Sequence, residues 1–137
     1  MSSSSLLQQS LLAYYGREGL WGYVEVESGR GSSDLMRWWR AIAIGYQGRL
    51  GEAIRELSSL RHSQDVEMAA MVALVQFHHM QSTIDENEID DIERALDDEE
   101  RREITGRENG ILLAAQFHLF VALREVESEA RSDRLEK

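Results

Sequence analysis

Apolar residues recur at helical spacing along most of this chain. Between Leu35 and Leu60 the pattern predicts two helices joined at Gly48. In the second, Leu50, Ala53, Ile54, Leu57 and Leu60 fall on one face. The first is apolar around most of its circumference, through Leu35, Met36, Trp38, Trp39, Ala41, Ile42, Ala43 and Ile44. A helix of that kind has neighbours on both sides. One hairpin cannot bury it, so further helices must stack on it.

The flanking pattern supplies them. Leu6, Leu7, Leu11, Leu12 and Tyr15 predict an amphipathic helix ending near Gly16. Leu20 to Glu27 predicts a short second helix, and Gly29 to Ser33 a loop. Ser2 to Ser5 have capping potential, and Ser33 or Asp34 caps the central hairpin. Asp65 is placed to cap a helix over Val66 to Gln81 whose Met68–Val75 run is apolar on all sides. Ser82 to Asn87 is a break. Glu88 to Glu103 predicts a helix with Ile89, Ile92 and Leu96 inward and carboxylates outward. Thr105 to Gly110 reads as a loop, and Ile111 to about Val126 as the last apolar helix. Glu127 to Lys137 is a polar tail that continues the helix or frays. The expected division is 1–33, a degenerate first hairpin and loop; 34–126, the stacked repeats; and 127–137, the tail.

The central spacing matches the tetratricopeptide pattern, W-x2-L-G-x2-Y followed by A-x3-F. Its slots hold Arg37, Arg40, Ala41, Ile44, Ala53 and Leu57. Arg37 and Arg40 depart from consensus, and Asp65 replaces the closing proline. The small residues set how closely the helices approach, so Ala41, Ala53 and Ala73, with Leu57, are expected to carry helix packing. Gly48 sits where a left-handed backbone costs least. The expected fold is all-α, a tetratricopeptide-like stack of helical hairpins, or α-solenoid fragment, of five or six helices.

Charge narrows the partners. The chain of 137 residues has a net charge of -10. Phosphate contacts need a basic face, so nucleic acid is not an expected partner, and anionic membrane surfaces are disfavoured. Asp85 to Glu103 contains eleven acidic and three basic residues, which places most of that charge in one segment. There is no cysteine, which excludes disulfides and thiolate metal sites and fits a cytoplasmic protein. No apolar run approaches the roughly 18 residues of a spanning helix. The start, MSSSSLLQQ, lacks the basic n-region of a secretory signal.

No catalytic pattern emerges. His78 and His79 are adjacent, whereas paired helical zinc ligands sit at i and i+4. Asp97 to Glu100 lacks the alternation and central glycine of a calcium loop, so it reads as a solvated face. Met68, Met71 and Met80 read as core. Neither a converging carboxylate pair nor a nucleophile elbow is evident. No cofactor or metal is called for, and an enzyme is the least favoured class. Trp38 and Trp39 cannot both face one core, so one is expected to meet a partner. Phe117 and Phe120 are the other candidate partner-binding residues, on a last helix expected to be the open end of the stack and a site of self-association.

From Trp38 to about Leu123 the chain resembles the N-terminal region of the tetratricopeptide repeat protein 21 family. The resemblance is carried by Ala41, the GRLGEAIREL run from Gly48 to Leu57, Gln64-Asp65-Val66, Ala73-Leu74, His78 and Met80. Tyr14-Tyr15, eight residues before Gly22-Tyr23, is similar to the family's opening helix. The second arm of the first hairpin looks shorter here, and no clear glycine turn follows Ile111 before Ala130. The resemblance implies a non-catalytic scaffold, part of the large repeat subunit of intraflagellar transport complex A. It would act in retrograde ciliary transport, at the cilium or its base, with other complex A subunits as partners. The alternative is a free-standing helical adaptor with no ciliary role.

Overall fold

A computed structural model describes residues 3–100 and 107–136, with side-chain environments for 7–99 and 107–130. Within them lie seven α-helices and no strand, one or two more than the five or six expected of the stack. They are α1 (Ser3–Arg17), α2 (Trp21–Ser28), α3 (Asp34–Tyr46), α4 (Leu50–Leu60), α5 (Glu67–Met80), α6 (Glu86–Glu100) and α7 (Glu108–Glu136). The result is a stack of helical hairpins, an α-solenoid fragment. Helices α1 to α5 each pack on the next, and both α6 and α7 pack on α5. Helix α5 is therefore the hub, which accounts for its apolar circumference.

Two hairpin turns share one device. Gly19 and Gly48 adopt φ of +74° and +97°, the left-handed region that favours glycine. In each case the next N–H reaches back five residues, Leu20 to the Tyr15 carbonyl at 2.9 Å and Arg49 to Ile44 at 3.1 Å. That bond closes a Schellman-type C-cap and ends the helix. Three residues before each turn lies a second glycine. A Cβ on Gly16 would stand 3.3 Å from the Trp21 ring. One on Gly45 would stand 2.5 Å from the Phe77 ring, which is fully buried. Gly45→Val is expected to destabilise the fold by about 1–3 kcal/mol through overpacking. Urea denaturation checks it; an unchanged midpoint would mean that the ring can move aside.

Polar groups tie the layers. The Ser33 hydroxyl accepts the Met36 N–H at 3.2 Å and caps α3. Arg37 donates to Glu56 at 2.8 Å, and Ser63 donates to Asp34 at 2.6 Å, joining both ends of the α3–α4 hairpin. An arginine thus suits a slot where the repeat consensus has tryptophan. Arg49 and Gln47 hydrogen-bond to Glu25 and hold its carboxyl below the usual carboxylate range.

Three expectations are corrected. Asp65 does not cap α5, whose N-cap is Val66; its carboxylate accepts from Asn109 and so anchors the start of α7. Helix α7 begins at Glu108, and residues 108–110 are helical where a loop was expected. Gly110 permits this early start, since its missing Cβ would lie 2.8 Å from the Asp65 carbonyl. Not every carboxylate of α6 faces outward. Glu99 is buried and accepts from Arg107, which also lies 3.3 Å from Glu67, so one buried guanidinium joins α5, α6 and the start of α7. Helix α6 itself starts at Glu86, capped by Asp85. The expected end of the acidic helix near Glu103 and the residues at 105 and 106 lie outside the described residues.

Candidate protein-interaction groove

Four of the five residues singled out for packing occupy buried positions. Ala41, Ala53, Leu57 and Ala73 are all fully buried, and Gly48 is the exposed turn residue described above. His78 is packed with no hydrogen-bond partner on Nδ1, whereas His79 is exposed. Met71 is core, but Met80 is largely exposed.

The four aromatic candidates converge on one feature. Trp38, Trp39, Phe117 and Phe120 all line a groove of about 710 Å³ between α1 and α7. Its floor is α3, through Trp38, Trp39 and Ile42. One wall is α1, through Ala13, Tyr14, Gly16 and Arg17. The other is α7, through Leu113, Phe117, Leu119, Phe120, Leu123 and Arg124. Small residues on the α1 wall help keep the groove open, while aromatic packing fixes α7. Phe117 meets Trp38 edge-on at 5.9 Å, and Phe120 meets Trp21 at 5.2 Å and Tyr46 at 5.5 Å. Tyr46 also stacks on Trp21 at 4.9 Å, and burial pushes its hydroxyl up to about 12. Its neutral form is therefore favoured in the fold, and its contribution to stability is lost as pH rises from about 10 towards about 12.

The exposure of these residues differs from expectation in two ways. Trp38 and Trp39 are both buried, at 1% and 7% exposure. Neighbouring residues can both be buried because α3 is covered on more than one side. Trp38 meets Phe117, and Trp39 lies against Gly16. Phe117 is also turned inward and Phe120 is partly buried, so neither is the outward face of α7. That face is Leu112, Leu119, Leu123 and Val126, at 62%, 62%, 45% and 63% exposure. Their spacing of seven, four and three residues makes one stripe. Helix α7 continues past it without a break to Glu136.

The remaining chemistry is quiet. A smaller hollow of about 380 Å³ between α4, α5 and α6 is lined by Arg61, Glu67, Glu88 and Glu99 among others. Its charges are matched already, Arg61 with Glu88 and Arg107 with Glu67 and Glu99. Asp97 and Asp98 are exposed. Among the described residues no cluster of His, Cys, Asp or Glu could hold a metal ion, and no helix is long and apolar enough to cross a membrane. Titration with calcium, with magnesium as control, is expected to show no saturable binding tighter than millimolar. A stoichiometric micromolar site would contradict this.

The sequence profile described as the tetratricopeptide repeat protein 21 N-terminal ARM repeat matches residues 12–131. The chain belongs to this family. Similar proteins include tetratricopeptide repeat protein 21B of Mus musculus, 28% identical over 104 residues, or 72% of this chain. Tetratricopeptide repeat protein 21A of Homo sapiens is 27% identical over 111 residues, or 77% of this chain. In both cases the match spans 8% of the relative's length. The family profile covers the floor and most of both walls of the groove. The family profile begins at Leu12, within α1, and ends in the last part of α7.

Proposed function

We propose that this chain is a non-catalytic protein-binding scaffold unit of an intraflagellar transport complex A subunit, acting in retrograde ciliary transport. Its family membership over residues 12–131 carries this reading. The physical support is the helical stack, which leaves an apolar stripe on α7 beside an aromatic-floored groove. An exposed apolar stripe of this kind on a folded domain marks an interaction site. The stripe is the exposed part of α7 available to a partner, whether other complex A subunits or a second copy, and Phe117 and Phe120 line the groove beside it. Tagging the protein and deleting its gene in the cells that encode it provides the test. The tagged protein is expected at the cilium or its base, and its loss should leave transport particles accumulated at the ciliary tip. A protein absent from cilia, whose loss leaves retrograde velocity unchanged, would instead be a free-standing adaptor.

A further inference from the structure

We propose that the second half of α7 is a releasable strap. It lies on the stack as a bound helix would, and a partner helix with an aromatic residue and a cation four residues on takes its place. The inference rests on reading the stack as a protein-binding scaffold and adds a closed and an open state. Helix α7 is held unevenly. Its start is fixed: Asn109 donates to Asp65 at 3.1 Å, Arg107 reaches Glu67, and Leu113, Ala114 and Phe117 are buried. From His118 to Ala130 no side chain is buried; Phe120 and Val121 are partly covered and the others are exposed. Phe120 meets Trp21 at 5.2 Å and Tyr46 at 5.5 Å, and the Arg124 guanidinium lies 4.6 Å from the centre of the Tyr46 ring. On the side towards α1 the groove leaves this half uncovered. Few buried contacts and an open flank mark a segment of low local stability.

The contacts of α7 are those of a helical ligand. Leu113, Phe117, Phe120 and Arg124 stand at i, i+4, i+7 and i+11, the spacing by which an amphipathic helix fills a groove. The rings that receive them come from other helices, Trp38 on α3 for Phe117, and Trp21 on α2 with Tyr46 at the end of α3 for Phe120 and Arg124. Helix α7 therefore displays what the surface accepts beyond Phe117: an aromatic ring edge-on to Trp21 and Tyr46, and a cation over the Tyr46 face. Leu119, Leu123 and Val126 are exposed already, so release of the strap uncovers little besides Phe120 and Val121. The covalent link to the anchored half gives the strap a high effective concentration, so the closed state predominates until a partner competes.

The test uses the 137-residue chain in two measurements. Hydrogen exchange of the parent reads release directly. A helical segment detached from its body is marginal in water, so amides of residues 120–126 should exchange about a hundredfold or more faster than those of residues 38–44 in α3. Fluorescence anisotropy reads replacement, with a labelled, helix-stapled peptide of residues 117–130 as the added partner. The double variant Phe120→Ala/Arg124→Ala, which weakens the strap in the chain, should bind this peptide roughly tenfold or more tightly than the parent does. A peptide carrying the same two alanines should not bind. Circular dichroism checks that the variant keeps the parent's helical content, and the exchange measurement stands without any variant. Equal protection of residues 120–126 and α3 would overturn the proposal. So would equal affinity of parent and variant, no binding to a folded variant, or binding of the alanine peptide. Neither measurement depends on ciliary localisation, so the strap and the proposed function can fail separately.

Discussion

Ala53→Arg is expected to cost several kcal/mol of a total stability of roughly 5–15 kcal/mol. Ala53 is fully buried on α4, which packs against both α3 and α5. Those helices present Ala41 and Ala73, also fully buried. Small residues at such positions allow close helix approach, and a long charged side chain has no room there. Insertion would either separate the helices or bury an unpaired guanidinium. Chemical denaturation reads the effect as a large shift in midpoint. A change below about 0.5 kcal/mol, the scale of ordinary surface substitutions, would mean that the side chain escapes to solvent and the packing register is wrong.

The second large effect is expected at Arg107. Arg107→Leu removes the cation shared by Glu99 and Glu67 while leaving both carboxylates in place. Breaking a buried ion pair from one side costs about 3–5 kcal/mol, because the two carboxylates lose the buried guanidinium that offsets their desolvation. The double variant Arg107→Leu/Glu99→Leu should recover part of that loss, since apolar replacement of a whole buried pair is often close to neutral. A double-mutant cycle by denaturation decides it. Strict additivity of the two losses would show that Arg107 and Glu99 are not coupled and that this guanidinium does not tie α6 to the start of α7.

Much of this architecture was legible in the sequence because periodicity reports burial directly. The apolar circumference of α3 and α5 indicated helices with neighbours on several sides, and both occupy such positions. Gly48 announced a turn through the backbone conformation that it permits. The same signal was present earlier in the chain. Gly16 and Gly19 stand 29 residues before Gly45 and Gly48 and form the equivalent turn. That pair marks the first hairpin as the counterpart of the α3–α4 hairpin.

The groove was less legible. Trp38, Trp39, Phe117 and Phe120 stood out as large aromatic side chains, but their meeting depends on α7 returning to the second and third helices. That return is fixed by contacts distant in sequence. Trp21 and Tyr46 stack although 25 residues apart, and both meet Phe120. Asp65 looked like a cap because it precedes a helix, yet its partner is Asn109, 44 residues later. Glu99 looked like one of many solvated carboxylates. No local pattern distinguishes it from Asp97 or Asp98 until Arg107 is placed beside it.

Whether the α1–α7 groove receives another protein is open to direct test. Photocrosslinking amino acids placed singly at Tyr14 and Leu119, on the two walls, and at Asp91 on the exposed face of α6 as control, test this in cells that encode the chain. The expected result is one partner crosslinked from both walls and absent from the α6 position, lost when Ala13→Trp fills the groove. Equal labelling from all three positions, or labelling unaffected by filling the groove, would contradict the account.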